Sequence, residues 1–350
     1  MTHHYISGFQ IVLQVLYRLW PVWLSLAVVM GLSFRFKHRL GLYGQLYETG
    51  VGIAGVLLVG FWLFVAIFSG IIAPFGPLEQ IVVMRNALPG AIEPQSGIAY
   101  LFGGDTLARD VFSRMVAGSR IVLLIAPLAT LLALTVGITL GLPAGYYGRR
   151  ADSVLSFIAN LVLAFPVILL FYLLVSPGIQ NTALPYATAG LFFLFPIIMF
   201  SLLFYTRYKH RPAVLTVQLA ITLAIGAWLF ATFVFDSDPF GLMRVSASTL
   251  NIFVAVVFAS SPGVFRIVRG LVMDIKTRDY VAAAQTRVES PWYIMLWEIL
   301  PNARGPLIVD TCLRIGYTTI LLGTLGYFGL GMPSESPDWG TAIKDASRLL

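Results

Sequence analysis

Asp310 and Arg314 stand four residues apart inside an apolar run of the 350-residue chain, acid first, the order in which a helical pair can bond and neutralise itself. Ionisable groups inside an apolar span are expensive and often functional, so two readings stay open. They form a structural pair, or they line a solute path where Arg314 meets a carboxylate and Asp310 an amino group. A second charged set, Asp105, Arg109, Asp110 and Arg114, lies in "GGDTLARDVFSR" (103 to 114) and reads as an external gate, a loop-ordering group or a hydrogen-bonded helix entry. Neither set supplies an activated nucleophile, so no catalytic residue is expected. His3, His4, His38 and His210 are scattered and Cys312 is the one cysteine, which leaves no metal-ligand spacing and no intrachain disulfide. No G-x-x-x-x-G-K-[ST] phosphate loop occurs, so the chain is not expected to bind or hydrolyse ATP itself.

The elements that must position these residues are membrane helices. The chain is 58% hydrophobic and 11% charged, against roughly 25% charged in soluble domains, which makes lipid the expected solvent. A net charge of +7 could point to nucleic acid, but the basic residues fall in short clusters between apolar runs, as in cytoplasmic loops, and no nucleic-acid partner is expected. Crossing a core of roughly 30 Å takes about 20 apolar residues as helix. Eight spans follow on that template, near 10–33, 51–74, 119–142, 154–175, 186–207, 212–235, 249–270 and 304–328. The first is the weakest, since Arg18 beside Pro21 costs about 2.5 to 3.5 kcal/mol at the bilayer centre unless it snorkels or faces protein. The first apolar run has neither the positive flank nor the cleavage site of a signal peptide and is expected to remain in the protein. The clusters "RFKHR", "YYGRR", "TRYKHR" and "VRGLVMDIKTR" alternate with acidic or neutral connections, which places all four on the cytoplasmic side and the N-terminus outside.

Between the last two spans lies "DYVAAAQTRVESPWYIMLWEILPN" (279 to 302). Ala282, Ala283 and Ala284 combine high helix propensity with little bulk, so another surface can approach closely. Ser290 is placed to cap a second short helix with Pro291 at its first position, carrying Trp292, Ile294, Met295, Trp297 and Ile299 and ending at Pro301. The expectation is a cytoplasmic helix-turn-helix with an exposed first helix and an aromatic second helix at the interface. It is either a docking knob for a grooved partner or an amphipathic connector. Elsewhere, Gly137, Gly141 and Gly145 recur every four residues, which allows close approach of a neighbouring helix.

This stretch resembles the coupling loop of ABC importer permeases, a Glu-Ala-Ala run followed by a glycine and a Leu-Pro ending. Tyr280, Ala283, Ala284, Leu300, Pro301 and Asn302 match, while the family's glutamate falls on Ala282 and its glycine on Val288. With the glycine replaced, the turn is expected to rest on Glu289, Ser290 and Pro291. "GGDTLARDVFSR" is similar to the signature of the dipeptide, oligopeptide and nickel subfamily, with Gly104 and Ala108 as departures, and "LPAGYYGRRAD", "AFP", "GYFGLGM" and "SPDWG" follow in the expected order. The resemblance implies an all-α polytopic bundle of about eight spans with a cytoplasmic coupling helix. It implies an inner-membrane C-type permease subunit of an ATP-driven importer for peptides or peptide-like solutes, multi-pass in a bacterial plasma membrane. Coupling to the ATPase falls on Arg278, Asp279, Tyr280, Ala282, Ala283, Ala284 and Pro301. The implied partners are a homologous B-type permease, two ABC ATPase subunits that hold ATP and Mg, an external solute-binding protein and membrane lipid; this chain has no cofactor of its own.

Against that pattern, residues 1–34 form an extra hydrophobic segment, 35–118 hold the first family span and its external loop, and 119–350 form the permease core with an additional hairpin at about 186–235. The family carries one more span beyond the position of Leu350. Two other classes compete. A standalone secondary transporter or channel needs coupling-ion acids near the midplane, for which Asp310 is the one candidate. A membrane-embedded enzyme needs a nucleophile or metal cluster that the sequence does not offer.

Overall fold

The computed structural model describes residues 4–180, 182–235, 247–330 and 336–347. In chain order its main helices are α1 (Gly8–Arg18), α2 (Trp20–Phe36), α3 (Gly50–Ile67), α4 (Val111–Tyr147), α5 (Arg149–Leu163), α6 (Val167–Val175), α7 (Ala183–Tyr208), α8 (Pro212–Phe235), α9 (Ala247–Ile275), α10 (Asp279–Thr286), α11 (Arg304–Phe328) and α12 (Trp339–Ser347). A two-residue antiparallel pair, β1 (Ala91–Ile92) and β2 (Ala99–Tyr100), gives the loop before α4 more order than its Pro and Gly content implied. Most of the connection 235–240, residues 331 and 332 of "GYFGLGM" and the first part of the acidic connection 333–339 lie outside the described residues.

The helical class expected from the sequence holds, but the number of spans does not. Among the described residues six helices, α3, α4, α7, α8, α9 and α11, are long and apolar enough to cross a membrane, and α1 with α2 makes a seventh if that pair, bent by 53°, counts as one. The bend follows from the sequence. Ser7 and Gln10 close a capping box at the start of α1, and Pro21 in the first turn of α2 restarts the helix after Leu19. The expected span at 154–175 is not one helix. Pro166 has no amide to donate and keeps the residue before it out of the α conformation, so α5 stops at Leu163 and α6 begins at Val167, each too short to cross alone.

One compact unit comprises Met1–Leu124 and Leu322–Leu350. Its core gathers Leu19, Val22, Leu26, Val65, Ile72, Leu101, Phe112 and Val116. Glycines let α12 lie close against the end of α11. A Cβ at Gly326 would stand 3.0 Å from the Gly340 Cα, so the glycines of "GYFGLGM" and "SPDWG" answer each other across a helix contact. Trp339 covers Gly118 and donates its indole N–H to the Met115 carbonyl (2.9 Å).

The other unit, Ile125–Leu321, holds most of α4, all of α5 to α10 and most of α11. Gly137, Gly141 and Gly145 bring α4 against Val264, Val268 and Val272 of α9, where an added Cβ at Gly141 would meet the Val268 Cβ at 2.8 Å. Lys276 Nζ donates to the Gly145 carbonyl (2.8 Å) and so satisfies the C-terminus of α4. α5 runs antiparallel to α9: Arg269 pairs with Asp152, Arg266 Nη2 donates to Asn160 Oδ1 (2.7 Å), and Ala159 packs on Phe265.

Candidate functional site

The segment 279–302 begins where α9 ends. Arg278 takes an extended conformation before α10 and Asp279 occupies the first turn, where a negative charge complements the helix dipole. The expected exposed alanine face divides in two. Val281 and Ala284 are buried, whereas Tyr280, Ala282 and Ala283 face outward. Ala284 is therefore an anchor of α10, because residues three apart share a helix face and Val281 already points into the core.

The turn that follows corrects the sequence reading. Val288 itself takes the left-handed conformation, φ +58°, and donates to the Gln285 carbonyl (2.9 Å), while the Glu289 amide donates to the Ala284 carbonyl (3.3 Å). These two bonds form a Schellman cap, in which the left-handed residue is usually glycine. The backbone thus keeps the family's glycine turn at Val288 and does not shift it to Glu289–Pro291. A parallel case is Ala108, at the other glycine departure, where φ is +64°.

The second helix also differs from expectation. Ser290 caps it through the Tyr293 amide (3.3 Å), as the sequence indicated. Residues Ile294–Ile299 then form a π-helical turn, followed by Leu300–Asn302. The element ends one residue past Pro301, at Asn302, and the wider turn ahead leaves room for the proline ring against the carbonyl four residues back. The aliphatic side of the helix turns inward, while Trp292 and Trp297 stay partly exposed. Ile294, Met295, Leu296 and Ile299 are buried with Val281, Ala284, Val268 and Val272 in one cluster. Arg287 and Glu298 bridge the two helices at 2.9 Å.

Asp310 and Arg314 meet within α11. Arg314 Nε donates to Asp310 Oδ2 (2.6 Å) and Nη1 to the Ser260 carbonyl of α9 (3.2 Å). Gly263 makes room for the guanidinium; a Cβ there would stand 2.7 Å from Arg314 Nη2. Both side chains are mostly buried.

The set at 105–114 is a buried ion cluster completed by a residue the sequence reading missed. Asp105 Oδ2 accepts from Arg109 Nε (2.7 Å) and Arg114 Nη1 (2.6 Å), and Asp345 Oδ2 of α12 accepts from Arg109 Nη2 (2.8 Å) and Arg114 Nη1 (2.9 Å). Asp105 Oδ1 takes the amides of Leu107 and Arg109, each at 2.9 Å, which organises the turn around Ala108. Thr341 accepts from Arg114 Nη2 at 3.2 Å. Two acids and two guanidiniums cancel, so the set carries its charge at 1% exposure or less for Asp105, Arg109 and Arg114. Asp110 stands apart from it and caps α4, accepting from the Ser113 amide (2.9 Å) and hydroxyl (2.6 Å). Burial pushes its carboxyl above the usual carboxylate range against the opposing effect of the Ser113 bonds and the Arg18 charge. Asp345 lies 231 residues from Arg114 in sequence, and its one available signal was that the "SPDWG" motif opens a short helix carrying an acid.

Residues 211–347 match the family of binding-protein-dependent transport system inner membrane components. The chain is 25% identical to the dipeptide transport system permease protein DppC of Alkalihalophilus pseudofirmus over 88% of its own length and 77% of that protein. It is 27% identical to DppC of Haemophilus influenzae (89% and 80%) and 28% identical to DppC of Escherichia coli K12 (84% and 75%). The chain is thus similar to inner-membrane permease components over most of its length. These three relatives are named as permease proteins of dipeptide transport systems. The matched residues include α10, the π turn and the whole of α11.

Proposed function

We propose that this permease forms half of the translocation path of a bacterial inner-membrane importer for peptides or peptide-like solutes. It works beside a homologous B-type permease, two ABC ATPase subunits and an external solute-binding protein. The relatives named for dipeptides support the solute class. The observation that carries the mechanical reading is the two-faced α10: Ala282 and Ala283 are exposed and lack bulk, while Val281 and Ala284 are locked into a core shared with α9 and the π turn. A partner seated on the alanine face therefore pushes on α9 and α11 with little slack, because close-packed interiors transmit displacement. Arg278, Asp279 and Tyr280 border that face, and Pro301 ties the element to α11.

ATP with Mg binds in the ATPase subunits, and their closure tilts α10 and rocks the spans between inward-open and outward-open arrangements. The basic clusters favour the cytoplasmic side, which puts α10 in the cytoplasm. Asp310 and Arg314 serve the path only if a solute's ammonium and carboxylate replace their mutual bond. Charge-neutral replacement of both should leave assembly intact and cut uptake, and unchanged uptake would remove that role. Asp105, Arg109 and Arg114, with Asp345, order the external loop, and Asp110 orders the entry to α4.

The test of the coupling reading is Ala283→Trp in the assembled importer. The ATPases should no longer co-purify with the permease, whereas Ala283→Ser should retain them. An Ala283→Trp permease that keeps its ATPases and its ATP-driven uptake would refute the reading.

A further inference from the structure

The α7–α8 hairpin lies outside the family pattern read from the sequence, yet it touches the coupling element directly. Trp297, in the π turn, donates its indole N–H to Thr206 Oγ1 of α7 (3.1 Å), and the Arg207 guanidinium carbon lies 4.8 Å from the Trp297 ring centroid. The Thr206 hydroxyl donates back to the carbonyls of Leu202 (2.8 Å) and Leu203 (3.1 Å), so its proton is committed and a lone pair is free for the indole. One turn deeper, Met199, Leu202 and Leu203 pack on the cluster that contains Met295, Leu296 and Ile299. The hairpin is itself a tight body: Gly226 accommodates Ile197, and Phe193 stacks on Phe233 at 4.5 Å between ring centroids.

These contacts combine a directed hydrogen bond, a cation over an indole face and apolar packing, all on the one turn of the coupling element with π geometry. Such turns recur at functional sites, and the extra residue changes which side chains face a neighbour. Thr206 is buried in spite of its place at the end of a largely exposed helix, so the hydrogen bond to Trp297 is shielded on the threonine side, while Arg207 covers the ring from the exposed side. We propose that the α7–α8 hairpin is a brace for the coupling element: Thr206 and Arg207 hold Trp297 and thereby fix the angle at which α10 meets its partner. Thr206, Arg207 and Trp297 are positioning residues. The brace rests on the coupling reading given above for α10, and it adds that hairpin and coupling element move as one body.

The test uses the full-length permease with Cys312→Ser, spin labels at Thr216→Cys on α8 and Thr286→Cys on α10, and pulsed dipolar distance measurement in nanodiscs. With the brace intact the distribution should be single and narrow, and it should stay in place when the assembled importer is trapped with Mg-ATP and vanadate. Trp297→Leu or Arg207→Gln should broaden it even without nucleotide, and Arg207→Lys, which keeps a cation at the ring, should restore it. A narrow distribution in both disrupting variants, or a shifted one in the unaltered brace on trapping, would overturn the inference. If the variants lose their fold, Thr206→Val, which removes only the acceptor of the indole N–H, should still broaden the distribution, and an unchanged narrow distribution in it counts against the brace. Loss of co-purifying ATPases from the Ala283→Trp permease reports on the coupling reading alone, so failures of the two ideas are separable.

Discussion

Val288→Gly should tighten the turn after α10. Val288 sits at φ +58° with 89% of its surface exposed, so its side chain contributes no burial that a glycine would lose. The left-handed conformation costs an L-residue about 1–2 kcal/mol, and valine, branched at Cβ, belongs near the upper end. Glycine relieves that cost but gives up about 0.5–1 kcal/mol to the greater freedom of the unfolded chain. The balance is about 0.5–1 kcal/mol in favour of the turn, a factor of roughly two to five in its opening equilibrium. Amide hydrogen exchange reads this directly, because the Val288 and Glu289 amides donate the two bonds of the cap. Both should exchange two to five times more slowly in Val288→Gly, by about that same factor, while amides of α3 stay unchanged. Val288→Ala should give a smaller effect in the same direction. Faster exchange at these two amides in Val288→Gly would refute the strain assignment.

Five further substitutions test the packing and the charges. Gly141→Ala should destabilise the isolated permease by about 1–3 kcal/mol in a thermal scan because the new Cβ collides with Val268, whereas Gly316→Ala, with nothing within 4 Å, should stabilise α11 by up to about 1 kcal/mol. Asp105→Asn should cost about 3–5 kcal/mol, since Arg109 and Arg114 lose their most buried carboxylate, and Asp345→Asn should cost less because Asp105 remains. Asp110 gives a pH signature of defined sign. Its folded carboxyl is raised by burial, so the folded state holds its proton more tightly, and stability falls as pH rises from the unfolded carboxylate pKa through the raised folded one. Asp110→Asn, which can keep the Ser113 bonds, should therefore raise the melting temperature at neutral pH. That gain should vanish below the ordinary carboxylate range, and a gain that grows on acidification would contradict it.

Much of this architecture was legible in local patterns. The apolar runs located every long helix, the glycine spacing at 137, 141 and 145 announced the close approach of α9, and Ser290 with Pro291 fixed a helix start. Where the reading slipped, the cause was local chemistry overruled by neighbours. Pro166 split a run that hydropathy alone reads as continuous, since a sliding window averages over the lost amide. Val288 keeps a glycine turn because the buried anchors Val281 and Ala284 and the Glu289 bond dictate its backbone, which a residue-type rule cannot register. The π turn ahead of Pro301 was not foreseen, because no residue pattern in "IMLWEI" signals that geometry. Asp345 and the Thr206–Trp297 bond join residues 231 and 91 positions from their partners, beyond the reach of any spacing rule.

The central claim is that the exposed alanine face of α10 is where an ATPase delivers its stroke. Its most direct test is a photo-crosslinking amino acid at position 283, activated in intact membranes that contain the whole importer. The account predicts adducts with the ATPase subunit alone, diminished when nucleotide is depleted, and protection of position 283 from membrane-impermeant reagents applied outside the cell. Labelling of position 283 from the outside, or adducts with lipid and no ATPase, would contradict it.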